Sequence, residues 1–347
     1  MTGWKRFAAS KIFWPVVALV ALLVANTIKT TNFVNIRLQD GHLFGALIDI
    51  LRNSSPLLLV AVGMTLVIAT RGIDLSVGAV VAISGAVACS FIASSGDPTS
   101  VVTVLTAVVI ATLLALVLGV WNGFLVSVVG IQPIIATLVL MTAGRGIAML
   151  ITGGQITTIN SPPYKMIGSG YWLAVPVAVL ISGGLFAIVA ILTRRTALGM
   201  LIESVGINPQ ASRLAGVRSR TIIWTVYALS GVFAGIAGLM ISSNVMAADA
   251  NNAGLFIELD AILAVVIGGT SLAGGKFSLS GTLVGVLVIQ TLTLTVTILG
   301  VPPAVTPLFK AVVVIAVCIM QAPVVRNRIA SRRRAPATAP VPVKVGV

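Results

Sequence analysis

The sequence predicts an all-α, polytopic integral membrane protein with about ten transmembrane helices, some of them short or broken, and both termini in the cytoplasm. Three observations carry this reading. Of 347 residues, 58% are hydrophobic and only 9% are charged, against about 45–50% apolar and about 25% charged in soluble domains. The mean hydropathy is +1.11. The basic residues also gather at the ends of apolar stretches, mostly on alternate loops, as the positive-inside rule requires.

A span takes about 20 apolar residues, within a range of about 17–25. Ten segments approach that length: 12–28, 56–70, 77–94, 101–120, 132–152, 172–193, 221–241, 259–271, 280–298 and 306–322. The first is long for a secretory leader, and no A-x-A site follows it, so it is read as an uncleaved span. The second and eighth are short and flanked by Gly and polar residues. Broken or re-entrant backbone of that kind is tolerated only where it is buried in protein or lines a watery cavity.

The charges set the orientation. With the N-terminus inside and the spans alternating, the cytoplasmic segments hold 16 basic residues, namely Lys5, Arg6, Lys11, Arg71, Arg194, Arg195, Arg213, Arg218, Arg220, Lys276 and six in the tail. The outer segments hold 4, namely Lys29, Arg37, Arg52 and Lys165. Arg145 and Lys310 fall within spans. This gives one transmembrane domain over 1–322, with a cytoplasmic loop at about 194–220. Residues 323–347 form a basic, Pro/Ala-rich cytoplasmic tail, expected to be disordered.

Composition also excludes function classes. The net charge of +14 is accounted for by span ends and by the tail beside anionic lipid, not by a nucleic-acid site. Cys89 and Cys318 lie in apolar stretches, and His42 is the sole histidine. No metal spacing or nucleophilic set is available. The run "GGTSLAGGKF" (268–277) has Thr270 and Phe277 where a phosphate loop needs Gly and Ser/Thr, so it is read as a Gly-rich turn. No catalytic residue and no cofactor is expected in this chain.

The loop "ESVGINPQASRLAGVRSR" (203–220) is the conspicuous polar interruption. Asn208 can cap a helix that Pro209 begins. Ala211, Leu214 and Ala215 share one face, and Gly216 is placed to end the helix in a left-handed conformation. So short a helix must pack on something. It is either a connector lying on the protein's own spans or a docking element for a cytoplasmic subunit.

Five blocks, in one order, carry a family resemblance: "GMTLVIATRGIDLSVGAVVAISG" (63–85), "WNGFLVSVVGIQPIIATLVLMTAGRG" (121–146), "LITGGQI" (150–156), "RTALGMLIESVGINPQASRLAGV" (195–217) and "ELDAILAVVIGGTSLAGGKFSLSGTLVG" (258–285). The chain resembles the ribose-type sugar permeases of bacterial ATP-binding cassette importers over about 38–322. "LQDGHLFGALIDIL" (38–51) and "ADANNAGLFIELDAILAVVIGG" (248–269) resemble the first of the two permeases of galactofuranose importers. One departure is Arg71, in "RGIDLS" where that family usually has Gly.

The resemblance implies an inner-membrane subunit moving a monosaccharide inward. Its expected partners are an ATPase subunit that binds ATP and Mg, a second permease (copy or paralogue), and a periplasmic or lipid-anchored sugar-binding protein. It further implies that Glu203, Gly206, Asn208, Pro209, Ala211, Arg213, Leu214 and Gly216 couple to the ATPase.

Charged groups inside spans are expensive and usually functional or paired. Arg71, Asp74, Asn122, Arg145, Glu258 and Asp260 are the candidates for the translocation path. Arg71 and Asp74 could pair with each other. Glu258 and Asp260 could simply favour a helix N-terminus, and Asn122 could cap a turn. An ion-coupled secondary transporter would also use intramembrane charges and broken spans.

Overall fold

The computed structural model describes residues 12–39 and 41–321. The chain is helical, with three two-stranded ribbons in its loops. In order come α1 (Phe13–Lys29), β1 (Arg37–Gln39), β2 (His42–Phe44), α2 (Ala46–Ala69), α3 (Val77–Ser94), α4 (Val101–Phe124) and α5 (Pro133–Ile151). Then follow β3 (Thr157–Thr158), α6 (Pro162–Ser169), β4 (Tyr171–Trp172), β5 (Val175–Pro176), α7 (Val177–Arg195), α8 (Ala197–Ile207), α9 (Pro209–Leu214) and α10 (Ser219–Val245). The chain closes with β6 (Ala247–Ala248), α11 (Ile257–Ile267), α12 (Leu279–Ile298) and α13 (Thr306–Gln321).

Among the described residues seven helices are long and apolar enough to cross a membrane: α2, α3, α4 with its extension, α5, α7, α10 and α12. α1 and α13 are shorter, at 17 and 16 residues. The eighth expected span is indeed short. α11 has 11 residues, so it rises about 16 Å, roughly half of an apolar core about 30 Å thick. The second expected span is not short. α2 runs unbroken for 24 residues through Pro56. Ser54 and Ser55 turn their hydroxyls back to the Leu51 carbonyl at 2.8 and 3.0 Å, whereas the bond that Pro56 cannot donate is the one to the Arg52 carbonyl. α4 also runs on, through a π turn at Leu125–Val129 that Gly130 ends at φ +83.

Burial separates core from periphery. Some 78% of the α2 window and 72% of the α3 window are buried within the chain, but only 22%, 28% and 17% of α4, α5 and α7. The outer faces of these last three carry Val, Leu and Ile suited to lipid. Small residues let the central helices approach. Gly231 of α10 lies so close to α4 that a Cβ there would stand 2.5 Å from the Ala115 carbonyl oxygen and 2.8 Å from Gly119 Cα. Such close backbone contact is how membrane helices associate when lipid offers no hydrophobic gain.

The loops sort into two groups. On one side β3 pairs with β6, and Leu43 N–H donates to the Ala174 carbonyl, joining the first and third ribbons. On the other side the α2–α3 turn, the α8–α9 joint and the Gly-rich 268–278 turn meet. The basic tail, together with Lys5, Arg6 and Lys11, lies outside the described residues, as does the side chain of Cys318; Cys89 is a buried free thiol.

Candidate functional site

The loop between α7 and α10 builds a stiff, two-turn knob. Asn208 is extended, and its Oδ1 accepts from the N–H groups of Gln210 and Ala211, both at 3.0 Å. Pro209 sits in the first turn, where a missing N–H is harmless. At the other end Gly216 has φ +84. Its N–H donates to the Arg213 carbonyl at 3.0 Å, and Val217 N–H donates to the Ser212 carbonyl at 2.9 Å. These two bonds form a Schellman cap. Arg213 Nε donates to Ser219 Oγ at 2.7 Å, tying the knob to the start of α10. Both ends of α9 are thus satisfied without help from a partner.

The knob's apolar face does not lie on the protein's own spans. Ser212 is the buried residue of α9, while Ala211, Leu214 and Ala215 are exposed, Leu214 to 91%. Glu203 is half-buried on α8, on the wall of a small pocket with Arg194 and Ser278. Gly206 is buried at the α8 terminus, where any Cβ would collide with the Ala69 carbonyl oxygen.

The six other candidates fall into three places. Asp74 is 2% exposed in the α2–α3 turn. Its Oδ1 accepts from Ser76 N–H (3.1 Å) and Ser76 Oγ–H (2.6 Å), and its Oδ2 from Ser230 Oγ–H (2.9 Å). Asn122 joins this cluster through Ser76 Oγ at 2.8 Å. It does not cap a turn. Ser230 stands about 16 Å along α10 from Ser219 at a rise of 1.5 Å per residue, so this turn dips deep among the helices. Among the described residues the buried Asn122 Oδ1 and Tyr227 hydroxyl have no hydrogen-bond partner.

Arg71 does not pair with Asp74. It turns away to the Ile207 carbonyl (Nη2, 2.6 Å) and the Ala273 carbonyl (Nε, 3.1 Å). Its φ of +65 is left-handed, a conformation costing about 1–2 kcal/mol for a residue other than glycine.

Arg145 reaches from α5 to the 246–256 loop, where Nη1 donates to the carbonyls of Ala250 (3.0 Å) and Ala253 (2.6 Å). Asp249 in that loop has its carboxyl held below the usual value, first by the Asn252 amide at 2.7 Å, against the opposing effect of burial, and then by the N–H groups of Asn252 and Asn251 and by Arg145. Glu258 and Asp260 do occupy the first turn of α11. Glu258 is buried against Gly78, while Asp260 accepts from Lys310 Nζ at 2.6 Å. That ion pair, which the sequence did not suggest, sits in an apolar groove of about 780 Å³ between α11 and α13, a size within the ~300–1,000 Å³ of small-molecule sites. Among the described residues no cluster of three or more His, Cys, Asp or Glu could hold a metal.

Continuous lipid-facing helices around deep polar turns, with a preformed knob outside the bundle, define a multi-pass membrane transport subunit. Residues 46–318 match the family described as branched-chain amino acid transport system / permease component. The chain belongs to that permease family.

It is 48% identical to the galactofuranose transporter permease protein YtfT of Escherichia coli, over 89% of this chain and 90% of the relative. It is 43% identical to the fructose import permease protein FruF of Bifidobacterium longum, over 95% and 93%. The ribose import permease protein RbsC of Escherichia coli is 39% identical, over 86% and 90%. No solved structure matches the chain.

Proposed function

We propose that this chain is the membrane-spanning subunit of an ATP-driven importer that carries a monosaccharide, galactofuranose or another furanose, pentose or hexose, into the cytoplasm. The observation that carries the reading is the knob. α9 is capped at both ends, yet its apolar face of Ala211, Leu214 and Ala215 is left open. A partner's groove is the natural place for such a face. The relatives, named as permeases for galactofuranose, fructose and ribose, supply the solute class.

In this reading the 194–220 loop faces the cytoplasm of a bacterial inner membrane, as do both termini. A separate ATPase subunit binds ATP and Mg and docks on Glu203, Gly206, Asn208, Pro209, Ala211, Arg213, Leu214 and Gly216, either directly or through the shape they give the knob. A second permease, copy or paralogue, completes the path. A periplasmic or lipid-anchored binding protein delivers the sugar to the opposite face. Asp74 with Asn122, Arg145 with Glu258, and Asp260 border the path, whereas Arg71 belongs to the coupling side.

Mild-detergent purification of the chain from its native membrane, followed by partner identification and uptake into proteoliposomes, tests this. Recovery of a nucleotide-binding subunit and ATP-dependent sugar uptake are expected. Uptake driven by an imposed ion gradient without ATP would instead establish a secondary transporter, the reading favoured by a buried Asp74 carboxyl held by one N–H and two hydroxyls.

A further inference from the structure

We infer that Arg71 is the tie that carries movement of the α9 knob to the Asp74 cluster. Three segments distant in sequence meet at its side chain. Ile207 is the last residue of α8, so its carbonyl belongs to the unpaired set at a helix C-terminus, where a cation is favoured. Arg71 Nη2 holds that carbonyl at 2.6 Å. The next residue, Asn208, is the cap from which α9 starts. The guanidinium therefore grips the joint at the base of the knob.

Its Nε holds the Ala273 carbonyl of the Gly-rich turn at 3.1 Å, and Gly275 N–H donates to the Ala69 carbonyl at 2.9 Å. Gly206 and Gly274 let the three backbones close up: a Cβ on Gly274 would stand 3.0 Å from the Gly206 carbonyl oxygen and would also strike Arg71 itself. Three residues beyond Arg71, Asp74 fastens the same turn to Ser76 and Ser230. A pull on α9 thus reaches α10 and α4 through residues 71–76 and the two nitrogens of one planar fork.

The strained φ of +65 sharpens this inference. Glycine would fit the backbone better, yet the position holds the side chain that can make both bonds. Lysine, with a single point charge, could hold only one carbonyl well. Arg71 is a positioning residue and contacts no sugar.

The inference rests on the importer reading, and the experiment separates the two. The complete importer, with wild type, Arg71→Gly or Arg71→Lys, is reconstituted in proteoliposomes, and ATP hydrolysed per sugar imported is measured. In a Cys89→Ala, Cys318→Ala background, spin labels at Met200→Cys and Leu272→Cys, both exposed positions, report the distance from α8 to the Gly-rich turn.

Arg71→Gly trades relief of its backbone against the loss of two charge-assisted bonds, so its melting temperature is expected to change little, and it is expected to retain the ATPase. It should nevertheless use at least about five-fold more ATP per sugar, the lower end of typical coupling between sites, with a broadened label distance. Arg71→Lys should fall between. Wild-type economy and an unchanged distance in Arg71→Gly would overturn the tie. Absence of ATP-driven uptake in wild type would overturn the importer reading instead, and the label distances alone would then decide whether Arg71 holds the joint.

Discussion

Replacing Asn208 by Ala tests the knob most directly. Its Oδ1 accepts two N–H groups, from Gln210 and Ala211, at 3.0 Å each. Loss of such a cap costs about 1 kcal/mol, in a range of about 0.5–2. That free energy multiplies the local opening constant by about 5. Gly216→Ala attacks the other end: its φ of +84 costs Ala roughly 1 kcal/mol or more. A six-residue helix opens as a unit, so the double variant should open about 30-fold more readily, taking the two losses as roughly 2 kcal/mol together. The assay is amide hydrogen exchange of residues 209–217 in nanodiscs, with α2 and α3 as internal standards. Their exchange should not change, since neither cap touches them. If exchange in 209–217 stayed at the wild-type rate in the double variant, the caps would not be what holds α9. An unseen contact would then have to be, and the reasoning that the knob is preformed would be wrong.

Three further outcomes are expected. Ala211→Glu puts a charge on the open face and should leave the melting temperature within about 0.5 kcal/mol equivalent; co-purification of the ATPase should fall sharply, and full retention would remove that face from docking. Asp74→Ala strips the acceptor from three buried donors, at about 1–3 kcal/mol for those left unsatisfied. It should lower uptake while the partners still assemble, with Asp74→Asn milder, and full uptake in the Ala variant would take Asp74 out of the path. Lys310→Met alone should destabilise by about 1 kcal/mol, discounted for the partial exposure of the pair. Adding Asp260→Leu should restore much of the loss in a thermal melt, and a strictly additive double variant would show that the pair is not coupled.

The sequence located most of the apolar helices within a few residues, because hydropathy over a span reports the surrounding lipid whatever the packing. It also showed the knob, since Asn-Pro and a later Gly are local signals for caps that close within α9 itself. Its main failures were non-local. The sequence offered Arg71 a pairing with Asp74, its neighbour three residues on, whereas its partners lie 136 and 202 residues away. Lys310 had no visible partner, because Asp260 approaches only when α11 and α13 pack. Pro56 and the polar run before it truncated the second span on paper. The helix continues through Pro56 because α2 is packed among its neighbours along most of its length, which composition does not record. The ribbon β4–β5 turns on Leu173 and Ala174 at φ +48 and +67, residues that carry no turn signal at all.

These failures share a cause that bears on how the protein works. The continuous helices α4, α5 and α7 carry the lipid-facing surface and little polar structure. The irregular segments, namely the α2–α3 turn, the 246–256 loop and the 268–278 turn, carry the charged contacts: Asp74 to Ser230, Arg145 to Ala250 and Ala253, and Arg71 to Ile207 and Ala273. Backbone that leaves a helix at membrane depth must be enclosed in protein, and each of these segments is fastened by one or two charge-assisted bonds to an element far off in sequence. A close-packed Gly–Gly seam such as that of α4 and α10 cannot slide without losing many contacts at once. A polar seam can exchange its few bonds for others or for water. In the proposed importer, alternating exposure of a path would therefore cost least at the irregular segments, and the α2–α3 turn is the one fastened both to the base of the knob, through Arg71, and to α10, through the buried Asp74.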